Sequence, residues 1–132
     1  MSEENVRLVK ESYEAMQRGG LEAVLSYFHP DVEWLVPEWM EGEIFLGHDG
    51  VRRAFALMDE VFDHYRIDVE KLIDYSDDHV IALLRQRGSI KGTEIEQRIA
   101  YDIEIHDGLA TRVLVYPSWD DPALKALGLG EG

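Results

Sequence analysis

The chain contains no cysteine in its 132 residues, which removes disulfides, thiolate nucleophiles and cysteine-ligated metals together. Long apolar runs are missing as well. No stretch approaches the ~20 residues that span a bilayer, so no membrane segment is expected. Met1-Ser2-Glu3-Glu4 is acidic where a secretory signal would be basic, and no apolar core follows it. A cytoplasmic location is therefore the expectation. Positive charge is scarce: 13 Lys and Arg stand against 27 Asp and Glu, for a formal net charge of −14. Without a basic cluster a polyphosphate backbone would be repelled, so nucleic acid is not an expected partner. The 5 histidines are scattered. His64 has no companion at ligand spacing, and neither a metal site nor a cofactor is expected.

What is present begins with helical periodicity. Val6, Val9, Tyr13 and Met16 recur at helical spacing until Gly19-Gly20, and Leu21, Val24, Leu25 and Phe28 follow on one face until His29-Pro30. These predict two helices packed as a hairpin. Val32 to Val36 reads as a short strand with Val32, Trp34 and Val36 on one side. Pro37 to Gly47 holds Trp39, Met40, Ile44, Phe45 and Leu46, too apolar for an idle loop, and is expected to fold over something. Val51, Phe55, Met58 and Phe62 mark a third helix after Gly47-His48-Asp49-Gly50.

Strand signals then dominate. Tyr65–Tyr75 and His79–Ser89 are separated by a turn at Ser76-Asp77-Asp78, and a tight turn at Lys91-Gly92 would set Arg87 opposite Glu96. From Ile95 to His106 the chain alternates with period two, Asp107-Gly108 supplies a type I′ turn, and Leu109 to Tyr116 returns. Counting back from the turn pairs Ile105 with Ala110, Ile103 with Arg112, Tyr101 with Leu114 and Ile99 with Tyr116. The predicted inner face then holds Gln97, Ile99, Tyr101, Ile103, Ile105, Arg112, Leu114, Tyr116 and Ser118. The outer face holds Glu96, Arg98, Asp102, Glu104, Thr111, Val113 and Val115. Asp120-Asp121-Pro122 opens a last helical turn. Nothing marks a boundary, so residues 1–132 are expected to form one α+β domain.

Tyr13-Glu14-Ala15-Met16, His29-Pro30-Asp31-Val32-Glu33-Trp34, Gly47-His48-Asp49-Gly50-Val51 and Asp107-Gly108 with Val113-Leu114-Val115-Tyr116 together resemble the SnoaL-like branch of the NTF2-like superfamily. That resemblance implies a cone: three N-terminal helices packed in the concave face of a curved, mostly antiparallel sheet. It also implies a choice among isomerases, polyketide cyclases, epoxide hydrolases, dehydratases and ligand-binding members, which the fold does not make. The position matching the isomerases' general base is Trp34, and an indole cannot take a proton from carbon. The position matching the cyclases' aspartate is Ser118, which has no useful pKa near neutrality; Asp120 or Asp121 could substitute. The epoxide hydrolases' arginine would match Arg112, but no pair of carboxylates brackets it.

The candidate ligand-binding residues are Tyr13, Trp34, His48, Tyr101, Arg112, Tyr116 and Ser118. For Tyr13, Trp34, Tyr101 and Tyr116 core packing and pocket lining both remain open. Arg112 is either a partner for an anionic ligand or a strand residue whose head reaches water. His48, in a helix-start motif, favours a structural hydrogen bond. The favoured reading is an apolar small-molecule pocket in a non-catalytic ligand-binding or dimeric interaction module, with a homodimer through the outer sheet face where Val113 and Val115 would sit. The alternative is a cyclase, isomerase or lyase acting on a polyketide-like or other cyclic apolar substrate.

Overall fold

A computed structural model of the chain describes residues 3–36, 44–119, 122 and 125. Helix α1 (Glu3–Val24) carries Glu3 and Glu4 in its first turn, where the helix dipole favours negative charge, and buries Val9, Ala15 and Val24. Gly20 interrupts it with φ 73° and ψ −166°, a left-handed step that glycine takes without a Cβ penalty. The predicted separate second helix does not form. Pro30 drives the residue before it to extended angles, and the extension reaches back to Phe28 at φ −105° and ψ 139°. What remains after the kink is the end of α1 and a short 3-10 turn, Leu25–Tyr27. The described helices therefore number two, α1 and α2 (Gly47–Val61), not three.

The strands are β1 (Phe28–Leu35), β2 (Ile44–Leu46), β3 (Asp63–Ser76), β4 (His79–Ile90), β5 (Thr93–His106) and β6 (Leu109–Tyr116). They form one sheet in the order β2-β1-β6-β5-β4-β3. Every neighbouring pair is antiparallel except β1 with β6. Of the predicted covering segment, residues 44–46 are the edge strand β2, with Phe45 buried and Ile44 and Leu46 exposed; residues 37–43 lie outside the described set. The predicted final helical turn also falls there, apart from Pro122 and Lys125.

Two tight turns set the register. Lys91 and Gly92 have φ 50° and 83°, and Asp107 and Gly108 have φ 53° and 79°, as type I′ turns require. Arg87 lies opposite Glu96 as predicted, with an Nε to Oε1 distance of 3.3 Å. The β5–β6 ladder departs from simple counting. His106 pairs with Leu109 and Ile105 with Ala110, but the next partner of Glu104 is Arg112, and Ile103 faces Val113. Thr111 is the extra residue of a bulge, and its hydroxyl donates to the Glu104 carbonyl at 3.2 Å.

One extra residue exchanges the faces of everything beyond it. Val113 is 1% exposed and joins the inner core, with Val115 packed against it. Arg112, Leu114 and Tyr116 take the outward register positions, so the predicted placement of Arg112 and Tyr116 on the inner face is overturned. The same shift removes Val113 and Val115 from the outer face, where they were expected to serve a dimer.

The inner core joins Val32, Trp34, Val80, Ala82, Leu84, Ile99, Tyr101, Ile103 and Ile105 of the sheet to Val9, Leu25, Val51 and Ala54 from the helical side. A second cluster lies on the outer face, where Ile81, Leu83 and Ala100 are covered by Trp119. The Trp119 indole N–H donates to the Ile99 carbonyl at 2.8 Å, just past the last β5–β6 rung. The Arg98 guanidinium lies 5.0 Å from the indole ring centroid.

Candidate functional site

Between α2 and the inner face of the sheet lies a chamber of about 420 Å³, within the size range of small-molecule sites. Leu57, Met58, Val61 and Phe62 approach it from the helical side; Val36, Phe45, Ile99, Val115 and Pro117 line it from the sheet side. A smaller chamber of about 50 Å³ lies between α1 and the same face, against Leu8, Val9, Tyr13, Ile103 and Val113. Trp34, Phe55 and Tyr101 line both. Their rings meet edge to face, with centroids 5.5 Å apart for Trp34 and Phe55 and 5.1 Å for Trp34 and Tyr101, the geometry aromatic quadrupoles favour.

The polar groups among the described lining residues of the larger chamber are few and neutral. Gln86 and Gln97 are cross-strand partners on the inner face of β4 and β5. The Gln86 side-chain amide donates to the Tyr65 hydroxyl at 2.5 Å. That bond occupies a lone pair of the phenol oxygen and leaves its O–H available to donate in turn. Burial is the main reason that the Tyr65 hydroxyl is pushed up to about 12; the nearby Asp59 charge acts in the same direction and the Gln86 bond against it. The Tyr101 phenol is raised well above its ordinary value by burial and by the neighbouring phenols of Tyr65 and Tyr13, and Tyr13 is raised by burial and by Tyr65. All three remain neutral hydrogen-bonding groups near pH 7. Among the described lining residues of this chamber no Asp, Glu, His, Lys or Arg is present.

Of the predicted ligand-binding residues, the structure brings Trp34 and Tyr101 to both chambers and Tyr13 to the smaller one. His48 instead bonds the Phe28 carbonyl through Nε2 at 2.9 Å, tying the start of α2 to β1. Arg112 is half-exposed beside Glu33 of β1, 3.9 Å away, which is the water-reaching alternative. Tyr116 packs on the outer cluster with Ile81 and Trp119. Ser118 is not among the described lining residues of either chamber, and Asp120 and Asp121 lie outside the described residues. Sequence reasoning missed Tyr65, Gln86 and Gln97 as site residues. Gln97 carried the signal: a polar residue at an inward register position, with Gln86 opposite it across the Lys91-Gly92 turn.

A separate titratable cluster sits on the outer face near the β3–β4 turn. His79 Nδ1 is 2.7 Å from Asp102, and its Nε2 lies 3.5 Å from Glu104 and 3.8 Å from Asp78. Burial pulls the imidazole pKa down, but the Asp102 hydrogen bond and the charges of Asp102, Asp78 and Glu104 together hold it above the ordinary value. A raised folded pKa means that the stabilisation is fully present below the unfolded pKa of about 6.5 and is lost as pH rises through the folded value. Replacing His79 by Gln should therefore cost more stability at pH 5.5 than at pH 9. Urea unfolding of both proteins at the two pH values measures the difference, and a cost independent of pH would refute the assignment. Among the described residues no three His, Asp or Glu side chains are grouped to hold a metal ion.

Comparison with known proteins places this geometry. The profile of the SnoaL-like domain matches residues 9–113. This chain belongs to the SnoaL-like family. An uncharacterised protein of Mycobacterium tuberculosis is 30% identical over 118 residues, covering 88% of each chain. Among solved structures, TerC co-crystallised with polyporic acid is 29% identical, with a TM-score of 0.77 over 93% of this chain and 96% of its own. An NTF2-like protein of unknown function from Burkholderia pseudomallei has a TM-score of 0.77 at 23% identity, over 97% of this chain and 98% of its own. It shares the NTF2-like fold with this SnoaL-like chain.

Proposed function

We propose that this SnoaL-like protein binds an uncharged, apolar cyclic small molecule in the larger chamber and holds it by hydrogen bonds from Tyr65 and the Gln86/Gln97 pair. The observation that carries the reading is the chamber of about 420 Å³ with apolar walls and only neutral polar groups among its described lining residues. An anionic ligand would meet no compensating cation among the described lining residues, and desolvating a lone charge costs several kcal/mol. A relative 29% identical that was co-crystallised with polyporic acid supports a ring-bearing ligand. For the cyclase, isomerase or lyase alternative a group that moves a proton near neutrality is needed. Phenols raised as far as Tyr65 and Tyr101 can polarise a carbonyl by donating to it but are poor bases at pH 7.

The test is a thermal-shift and calorimetric comparison of 2-naphthol with 2-naphthoate. Naphthol should bind, and at 100 times its dissociation constant should add about 2.7 kcal/mol of stability; naphthoate should bind at least tenfold more weakly. Tyr65→Phe should weaken naphthol two- to tenfold, the worth of one ordinary hydrogen bond of about 0.5–1.5 kcal/mol, while leaving the unliganded melting temperature close to wild type. Equal affinity for naphthol and naphthoate, or no binding of naphthol, would overturn the proposal.

A further inference from the structure

We infer that the smaller chamber is a second subsite of the same ligand site, closed off by the Phe55 ring, and that it takes the alkyl tail of an elongated apolar ligand whose ring occupies the larger chamber. The inference rests on the reading of the larger chamber as a ligand site. It starts from the shared wall: Trp34, Phe55 and Tyr101 line both chambers, so only side chains, and no backbone layer, need stand between them.

These three rings are not equally fixed. Trp34 and Tyr101 are each 5% exposed and sit on β1 and β5, whose neighbouring strands hold their register. Phe55 is half-buried and is carried by α2, with no polar atom and no strand partner. A rotamer change at Phe55 disturbs no hydrogen bond, whereas moving either strand residue would break packing on both sides. Phe55 is therefore the movable member of the partition. The chamber behind it is lined by Leu8, Val9, Met16, Ile103 and Ile105, with Ser12, Tyr13 and Tyr27 as its polar residues alongside Trp34 and Tyr101, and the Ser12 hydroxyl is already spent on the Val9 carbonyl. That chemistry suits methylenes rather than a polar head.

The consequence is a chain-length rule that one residue controls. In a series of para-n-alkylphenols from methyl to octyl, affinity should rise by about fourfold per methylene while the tail is being buried, the equivalent of about 0.8 kcal/mol each, and then level off. Phe55→Ala should move the plateau to tails longer by ~2 carbons or more, and Phe55→Leu, which preserves more of the helix packing, should move it part of the way. Circular dichroism confirms that each variant is folded before titration. A plateau at the same chain length in wild type and both variants, with short alkylphenols still bound, would overturn the subsite while leaving the larger chamber as the ligand site. Failure of the wild type to bind any alkylphenol would overturn the larger-chamber reading and the subsite with it.

Discussion

Val113→Asp is expected to unfold most of the protein at 25 °C, whereas Arg112→Ala, one residue away, should change stability by no more than about 0.5 kcal/mol. Val113 is 1% exposed and faces Ile103 in the inner core. A carboxylate there has no cation among the buried core residues around it, and an unpaired buried charge costs several kcal/mol, a large part of the ~5–15 kcal/mol that holds a domain together. Arg112 is 50% exposed at its side chain, and its pair with Glu33 spans 3.9 Å, so little is lost with it. The pair of variants tests the bulge itself. If β6 paired with β5 without Thr111 as the extra residue, Val113 would face water and Arg112 the core, and the two effects would exchange. Urea unfolding of the two variants distinguishes the registers without a structure.

The bulge explains why some of the fold was legible in the sequence and some was not. Period-two alternation and the Asp107-Gly108 dipeptide specify a hairpin and its turn, and both are found, because turn chemistry and pleat are local. A bulge is decided by tertiary packing: the spacing of three between Ala110 and Val113, which both face the core, cannot be met by a regular strand. That spacing stands in the sequence. It competes with an equally regular alternative that puts Arg112, Leu114 and Tyr116 inside, and only the cost of burying Arg112 separates the two. The helix count failed for a similar reason. Gly19-Gly20 reads as a stop, and Gly20 does break the helical dihedrals, but the extension before Pro30 leaves only the turn at residues 21–24 and a 3-10 turn where a second helix was expected.

The site divides along the same line. Trp34 and Tyr101 were legible because their strands alternate cleanly; the same alternation put Gln97 on the inner face, but a single inward amide did not mark it as a site residue. Gln86 follows from Gln97 only once the Lys91-Gly92 turn fixes the pairing. Tyr65 is three strands from β6 in the sheet order, and nothing in its neighbours, Asp63, His64 and Arg66, marks it as lining a cavity. Tyr116 and Arg112 were placed on the inner face by the bulge-free count, and Arg112 also by its match to the epoxide hydrolases' arginine. Trp119 gave no periodic signal, since it follows the last strand; its role is set by an outer-face cluster to which β3, β4 and β5 each contribute.

Trp34→Ala should be the second large loss, about 3–5 kcal/mol by the usual cost of deleting a buried large aromatic side chain. For a domain of this size that corresponds to a fall in melting temperature of roughly 10–20 °C. The indole is 5% exposed and touches Phe28, Phe55 and Tyr101 edge to face, with centroid distances of 6.3, 5.5 and 5.1 Å. It is the ring common to all three aromatic contacts, so its removal loses packing to both α2 and β5 as well as its own transfer energy. The void would also join the two chambers it now helps to separate. Trp34→Phe, which keeps an edge-to-face partner and leaves a smaller gap, should recover more than half of the loss. Thermal and urea unfolding followed by circular dichroism give both numbers. A loss below about 1 kcal/mol in Trp34→Ala would mean that the aromatic triad is peripheral to the fold and that the partition between the chambers is not built around this ring.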